Sequence, residues 1–224
     1  NKAISDEMNK KFERFFWKIG MVSGTSPLSL RTNESRTNPV MTGDDIHDCN
    51  AIMVADPFMI QYQNAWHLFC EVYNADTGRG EIGYAYGGQD MSWQYKGAVL
   101  QEPFHISYPY VFEHEGDIFM IPETLKPEAV RLYRAKHFPY EWIHSHTLLE
   151  GTHVDPSVFF HNGLWWMFTC PRFRENDCLM LYFSESLFGP WQPHTQNPVR
   201  ELDPERSRPA GRIIKWNETL LRFA

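Results

Sequence analysis

A hairpin-like segment recurs along the chain at intervals of about fifty residues. Its copies begin at Asp56 (DPFMIQYQNAWHLF), Tyr108 (YPYVFEHEGDIFMI) and Asp155 (DPSVFFHNGLWWMF), with a degenerate copy at Ala210 (AGRIIKWNETLLRF). Each copy has a short apolar strand, a polar turn and a second apolar or aromatic strand, which is the pattern of a β-hairpin. A period of this length indicates an array of similar units that pack against one another.

A second pattern follows each of the first three copies. It begins at Ile82, Arg131 and Leu179, and it has two further strands with a Trp in the turn between them. Four short antiparallel strands in about fifty residues are the size of one propeller blade. The sequence therefore predicts an all-β fold, a β-propeller of four-stranded antiparallel blades over residues 17–224. We expect residues 1–16 to form a tail or one short N-terminal helix, because apolar residues recur at helical spacing between Lys2 and Phe16.

The ends of the chain leave the closure of the propeller open to two interpretations. The segment WKIGMVSGTSPLSL, with NPVMT after it, resembles the outer half of a blade without its inner half. The last strands of the chain could supply that inner half and close a four-bladed ring. Alternatively the ring is of the five-bladed type and the chain is a truncated part of it.

Charge and composition exclude several classes of partner. The chain has 21 basic and 28 acidic residues and a formal net charge of −7, which argues against nucleic acid as a partner. No run of about 20 apolar residues is present, so we expect no membrane span. The four cysteines are too few for a disulfide framework, although Cys170 and Cys178 could pair across a hairpin instead of remaining buried thiols.

The expected compartment is the cytoplasm, because the sequence has no leader and no disulfide framework. Sequons at Asn33 and Asn217 would matter only in a secretory compartment, which stays an alternative.

The residues that open the repeats are the first candidates for a functional site. In a propeller the inner strands surround the central axis, so we expect Asp56, Tyr108 and Asp155 to meet at one pocket. Paired carboxylates are the groups that glycosidic bond cleavage requires, which makes Asp56 and Asp155 candidate catalytic residues. The alternative interpretation is that an Asp before Pro only forms a turn.

Two glutamates occupy like positions after the second strand of their units, Glu71 in LFCEVYN and Glu123 in MIPET. Burial beside an apolar strand would raise the pKa of a carboxyl towards that of a general acid. Glu123 is the preferred catalytic acid, and Glu71 is an alternate that we assign to substrate binding. Either could instead be a solvated loop carboxylate.

Further polar residues lie next to the repeat openings. His105 and His153 could bind a hydroxyl, bind a metal or transfer a proton, but two histidines without a regular third ligand are a weak metal signal, so we predict no metal and no other cofactor. Arg208 and Arg212 flank the fourth opening and could hold an anionic group of the substrate, or pair with the aspartates. Tyr108 could offer a flat surface to a sugar ring.

Several ordered motifs resemble a known family. VADPFM, EPFHISYPYVFE, MIPET, LYRAKHFP, DPSVF, GPWQPH and RPAGRII together resemble the N-terminal domain of glucosamine inositolphosphorylceramide transferases, over roughly Trp17 to Ala224. That domain is similar to the five-bladed propellers of family 43-like glycoside hydrolases. In those enzymes an Asp at one blade opening is the base, a second Asp orients, and a Glu at a later opening is the acid.

The resemblance implies a base role for Asp56, but the other two openings depart from the hydrolase pattern. Tyr108 replaces the second carboxylate, and Asp155 opens the copy where the hydrolases have Glu. We therefore expect a glycoside hydrolase-like enzyme acting on a glycan or glycoconjugate, with Asp56 as base and Glu123 or Asp155 as acid. The alternative is a carbohydrate-recognition domain that accompanies a glycosyltransferase or formyltransferase, and a protein-interaction propeller is a third use of such a fold.

Overall fold

The computed structural model describes residues 17–32, 37–88, 91–126 and 128–224. The predicted helix at residues 1–16 and the sequon at Asn33 lie outside these residues. The elements are β1 Val22–Ser23, β2 Arg31–Thr32, a 3-10 helix Gly43–Asp45, β3 Ala51–Tyr62, β4 Ala65–Asn74, β5 Arg79–Gly87, β6 Trp93–Leu100, β7 Ile106–His114, β8 Asp117–Thr124, β9 Ala129–His137, β10 Glu141–Glu150, β11 His153–His161, β12 Leu164–Pro171, a 3-10 helix Arg172–Arg174, β13 Cys178–Ser184, β14 Gln192–Pro193, β15 Arg200–Glu201, β16 Ile214–Trp216 and β17 Thr219–Leu221.

Three sheets are antiparallel blades in which four strands pair in chain order, and the third sheet has a fifth strand beside them. The first blade is β3-β4-β5-β6, the second is β7 to β10, and the third is β11-β12-β13-β14, with β15 also paired to β13. The all-β fold of propeller blades that the repeats predict is thereby confirmed.

The first hairpin of each repeat has a two-residue turn of the same kind. Both turn residues have positive φ at Gln63–Asn64 (47° and 61°), Glu115–Gly116 (52° and 85°), Asn162–Gly163 (52° and 80°) and Asn217–Glu218 (45° and 63°). Positive φ at both positions is the mark of a type I′ turn, whose twist matches that of the flanking strands. The fourth copy therefore forms the same hairpin, β16–β17, although its sequence is degenerate.

The repeat openings are β-bulges inside the inner strands, whereas the sequence reading placed them at the strand starts. Asp56, Tyr108 and Asp155 have φ of 50°, 48° and 52°, and the strand register shifts at each of them. A left-handed conformation costs a non-glycine residue about 1–3 kcal/mol. Each bulge residue precedes a proline, which cannot donate to the ladder and is tolerated at a bulge. Side chains of a regular strand point alternately to its two faces, and the bulges interrupt this alternation at Asp56, Tyr108 and Asp155.

The hydrophobic core lies between neighbouring blades. Aromatic side chains from all three blades meet in one cluster, among them Tyr84, Tyr110 and Trp165. The other face of the first blade is covered by the N-terminal segment, in which Ile19 and Met41 form a β-bridge and pack on Val54. This segment therefore takes the position that a preceding blade would occupy, in line with its reading as part of a blade.

The terminal strands form two separate two-stranded sheets, β1–β2 and β16–β17. Within the described residues these sheets do not pair with each other, so the four-bladed closure is not formed there. All four cysteines have free thiols, which excludes the Cys170–Cys178 bridge in this structure. No helix among the described residues is long and apolar enough to cross a membrane.

Candidate functional site

A cavity of about 830 Å³ lies beside the bulges of the three inner strands. It is lined by seven of the residues predicted for the site: Asp56, Glu71, His105, Tyr108, Glu123, Asp155 and Arg208. The repeat openings therefore converge, as the propeller interpretation requires, although they are far apart in sequence.

Asp56 is half-buried at the bulge of β3. Its Oδ2 accepts a hydrogen bond from the backbone N–H of Tyr108, on the second blade, over 3.2 Å. Burial raises the pKa of Asp56, and this hydrogen bond and the positive charge of Arg208 oppose the rise. The carboxyl therefore has a fixed orientation and open access to the cavity.

Glu71 and Glu123 occupy equivalent places in the first and second blades. Glu71 on β4 pairs with Ala55, and Glu123 on β8 pairs with Ser107, so that each lies opposite the residue before a bulge. The equivalent residue of the third blade is Cys170. Both glutamates are 5% exposed, which places them inside the protein and not in a solvated loop.

Glu123, Asp155 and Arg208 form a chain of polar contacts. Glu123 Oε2 accepts the backbone N–H of Asp155 over 3.2 Å, and Asp155 Oδ2 accepts from Nε of Arg208 over 2.5 Å. Burial and the negative charge of Asp155 raise the pKa of Glu123. Burial also raises the pKa of Asp155, and Arg208 counteracts it. The arrangement favours a proton on Glu123 and a negative charge on Asp155.

His105 faces Glu71 in a defined tautomer. The backbone N–H of Gly80 donates to Nδ1 of His105 over 2.8 Å, so the proton of the neutral ring is on Nε2. That Nε2 lies 3.5 Å from Oε1 of Glu71. Burial and the charge of Arg172 lower the pKa of His105, whereas burial and the charge of Asp56 raise the pKa of Glu71 to about 8. Both groups are therefore neutral near pH 7.

Tyr108 lines the cavity, but its hydroxyl is committed to other contacts. The oxygen lies 2.8 Å from Oγ of Ser157 and accepts the backbone N–H of Gly211 over 2.8 Å. The residue is 4% exposed. Tyr108 therefore joins the second blade to the third and to the C-terminal segment.

Two predicted residues do not line the cavity. His153 packs edge-on against Tyr182 at the start of the third blade, with ring centroids 5.7 Å apart. Arg212 donates to the carbonyl oxygens of Val111 and Met59 over 2.6 and 3.3 Å. Its guanidinium therefore links the inner strands of the first two blades away from the cavity.

The sequence analysis did not predict several residues that support or line the cavity. Ser157 contacts the hydroxyl of Tyr108, and the backbone N–H of Gly80 donates to His105. The side chains of Trp17 and Tyr73 line the cavity with aromatic surface. A glycine inside a strand often marks the close approach of another chain segment, so Gly80 carried a usable signal. In the part of the chain that the structure describes, no group of three or more His, Cys, Asp or Glu residues could hold a metal ion.

Residues 11–224 match the family model described as glucosamine inositolphosphorylceramide transferase 1, N-terminal. The chain is 36% identical over 228 residues to glucosamine inositolphosphorylceramide transferase 1 from Oryza sativa subsp. japonica, and the match covers 92% of this chain and 30% of the relative. The protein of the same name from Arabidopsis thaliana is 31% identical over the same shares. The chain therefore spans about a third of the length of these relatives.

Solved glycoside hydrolases share the fold. An exo-β-1,3-galactanase from Phanerochaete chrysosporium superposes with a TM-score of 0.69 at 13% identity, over 89% of this chain and 48% of that one. An exo-β-1,3-galactanase from Clostridium thermocellum gives a TM-score of 0.65 at 16% identity, over 83% of this chain and 42% of that one. At such identities the likeness shows the β-propeller fold.

Proposed function

Because the chain belongs to the family of the N-terminal domain of glucosamine inositolphosphorylceramide transferase 1, we propose that it is a carbohydrate-active domain whose cavity binds a sugar and acts on a glycosidic bond. The observation that carries this proposal is that one cavity is lined by two carboxyl groups, those of Asp56 and Glu123, whose surroundings differ. Asp56 is half-buried and accessible, and Glu123 is almost fully buried beside Asp155. Carboxyls whose surroundings separate their pKa values are the usual basis of an acid–base pair.

Each residue has a role in this proposal. Asp56 takes a proton from water or attacks the anomeric carbon, and Glu123 protonates the departing oxygen. Asp155 orients Glu123 through its backbone N–H, and Arg208 keeps Asp155 ionised. The hydroxyls of the sugar are held by the remaining polar wall, including His105.

The substrate class we propose is a glycan or glycoconjugate, and the working partner is a transferase domain. Support comes from the relatives, which carry the name of a transferase and are much longer than this chain. We also propose the cytoplasm as the compartment, supported by the free thiols of all four cysteines.

A second function is favoured by one specific observation. Tyr108 stands at the opening where the resemblance led us to expect a second carboxylate, and its hydroxyl is engaged by Ser157 and Gly211. A site without that carboxylate fits recognition of a sugar without cleavage. In this case the cavity would present a glycan to a transferase domain.

The test is turnover and binding of a panel of chromogenic glycosides by the wild type, Asp56→Asn and Glu123→Gln. We expect each substitution to lower kcat by about 10²–10⁴-fold, the usual contribution of general acid–base catalysis. Asp117→Asn is the matched control, because Asp117 is exposed in a 3.4 Å pair with Arg134. Saturable binding without turnover in the wild type would establish recognition instead. Absence of both binding and turnover would refute the carbohydrate assignment.

A further inference from the structure

The guanidinium of Arg208 lies between the cavity and the protein surface. On the inner side its Nε donates to Oδ2 of Asp155 over 2.5 Å. On the outer side its Nη1 donates to Oδ1 of Asn176 over 3.4 Å and lies 3.9 Å from Oε1 of Glu175. The Asp155 side chain is 5% exposed and that of Glu175 is 24% exposed. One cation is therefore shared between a buried and a partly exposed carboxylate.

Glu175 belongs to the 172–177 loop, which joins β12 to β13. Its other carboxylate oxygen, Oε2, pairs with Nη1 of Arg172, at the start of the same loop. The ion pairs therefore alternate in sign from the cavity outward, in the order Asp155, Arg208, Glu175 and Arg172.

The 172–177 loop is anchored to the third blade at several points other than Arg208. The backbone N–H of Arg172 donates to the carbonyl oxygen of Thr152, just before β11, over 3.0 Å. Nε of Arg174 lies 3.0 Å from Oδ1 of Asp177, and its Nη1 pairs with Glu201 on β15. Glu175 is therefore carried by a loop of defined geometry.

The charge of Arg208 acts on the carboxyls of the cavity. It opposes the rise in the pKa of Asp56, of Glu123 and of Asp155. The titratable and charged groups around Glu123 come from several elements: Asp56 on β3, Glu71 on β4, His105 before β7, Asp155 on β11, Arg208 after β15 and Lys18 at the exposed rim. Arg208 is the buried-side cation of this set, since His105 is neutral near pH 7. The position of its guanidinium therefore affects how firmly Glu123 holds its proton.

We propose that Glu175 is a positioning residue of the site, which acts on Asp155 and Glu123 by competing for Arg208. This inference rests on the proposed function, because it takes Glu123 as the acid. An arginine close to a carboxyl stabilises the charged form of that carboxyl. Because Glu175 draws the guanidinium outward, less positive charge reaches Glu123, and Glu123 keeps its proton to higher pH. Arg172 opposes this effect by pairing with Glu175.

The experiment follows the ionisation of Glu123 by carbon NMR of its side-chain carboxyl, assigned by comparison with Glu123→Gln. Glu175→Gln should lower the titration midpoint by at least about 0.3 pH unit, a fraction of the roughly 1–3 units that a nearby opposite charge provides. Arg172→Gln should raise the midpoint by a similar amount, because Glu175 then competes more strongly for Arg208.

Two further variants test whether the effect passes through Arg208. Both shifts should disappear when Arg208→Gln is added, since the competition for its guanidinium is then removed. Glu201→Gln is the matched control, because it breaks an ion pair of the same loop through Arg174 and leaves the contacts of Arg208 in place. It should leave the Glu123 midpoint unchanged. If the Arg208→Gln background does not fold, the opposite signs of the two single variants decide the question.

The outcomes separate this inference from the proposed function. Shifts of the same sign in Glu175→Gln and Arg172→Gln, no shift in either, or shifts that persist without Arg208 would overturn the inference. In turnover, the basic limb of the pH profile of kcat/KM should move with the NMR midpoint, because that limb reports the acid of the free enzyme. If the NMR shifts appear and no glycoside is turned over, the action of Glu175 on Glu123 stands and catalysis by the cavity fails.

Discussion

The hydroxyl groups of Tyr108 and Ser157, on the inner strands of neighbouring blades, lie 2.8 Å apart. Tyr108 stands at the opening where the hydrolase pattern has a carboxylate, and its oxygen also accepts the N–H of Gly211 over 2.8 Å. The wall of the cavity is therefore braced at this point by a neutral hydrogen-bonded group. A carboxylate here would add a fifth carboxyl group to a cavity that is already lined by four.

Tyr108→Phe should destabilise the fold without changing its architecture. The substitution removes one oxygen, so the Gly211 N–H loses its acceptor, whereas the Ser157 hydroxyl keeps its hydrogen bond to the carbonyl oxygen of Asp155. A donor left unpaired away from water costs about 1–3 kcal/mol. Urea denaturation measures the loss as a lower midpoint at unchanged slope. Tyr86→Phe is the control, because Tyr86 is exposed on β5. Equal midpoints for Tyr108→Phe and wild type would show that the hydroxyl contacts contribute nothing.

Arg208→Gln should destabilise the protein through Asp155. Asp155 is 3% exposed, and it would lose the cation that balances its charge. The Arg208 side chain is 43% exposed, so solvent screens part of the effect, and we expect a loss of about 1–3 kcal/mol in the free energy of unfolding.

The pair can be isolated by a double-mutant cycle. Adding Asp155→Asn to Arg208→Gln removes the unbalanced charge, so the double variant should be more stable than the sum of the single effects predicts, by about 0.5–3 kcal/mol. Arg134→Gln, which breaks the exposed pair with Asp117, is the control and should change stability little. Strict additivity of the two single effects would contradict a direct interaction.

Gly80→Ala should disturb both stability and the position of His105. A Cβ at Gly80 would lie 2.5 Å from the carbonyl oxygen of Ile106, 2.7 Å from Oε1 of Glu71 and 2.8 Å from Cε1 of His105. Overpacking of this kind costs about 1–3 kcal/mol. Gly20→Ala is the control, since its Cβ would meet only Asn38 Oδ1, at 3.7 Å. Thermal unfolding measures the cost, and the NMR shifts of the His105 ring report its displacement. Unchanged values for both would refute the close approach.

The fold was predictable because it is repeated. The recurring hairpin pattern predicted the blades, and the repeat openings at Asp56 and Asp155 were expected to converge. That these openings are bulges inside the inner strands was not predicted from the sequence. The like positions of Glu71 and Glu123 also followed from the repeat, and the structure places both opposite the residue before a bulge.

The remaining features of the site depend on contacts that spacing in one chain does not reveal. His105 and His153 are similarly placed before their openings, yet only His105 lines the cavity, where the N–H of Gly80 from β5 holds its ring. Arg212 follows the fourth opening, which lacks the bulge of the other three, and its guanidinium turns to backbone carbonyls of the first two blades. The positions of these side chains depend on contacts with distant segments of the chain, which the spacing of the repeats does not predict.

Glu71→Gln should alter the dependence of stability on pH. The pKa of Glu71 is about 8 in the folded protein and close to 4.5 in the unfolded chain, so between these values the folded state binds the proton and the unfolded state does not. The stabilisation is therefore complete below pH 4.5 and is lost as the pH rises to about 8. For one such group the free energy of unfolding falls by up to about 1.4 kcal/mol per pH unit.

Gln resembles the protonated carboxyl and does not titrate, so the variant should match the wild type near pH 4.5 and be the more stable of the two at pH 8. Urea denaturation at several pH values measures both curves, with Glu113→Gln as the control that follows the wild type. Glu123, whose pKa is raised by burial and by Asp155, contributes a decline of the same sign, so the slope of Glu71→Gln should be reduced and not abolished. Parallel curves for wild type and Glu71→Gln would show that Glu71 ionises at its ordinary pKa, which would mean that water reaches its carboxyl in the folded protein.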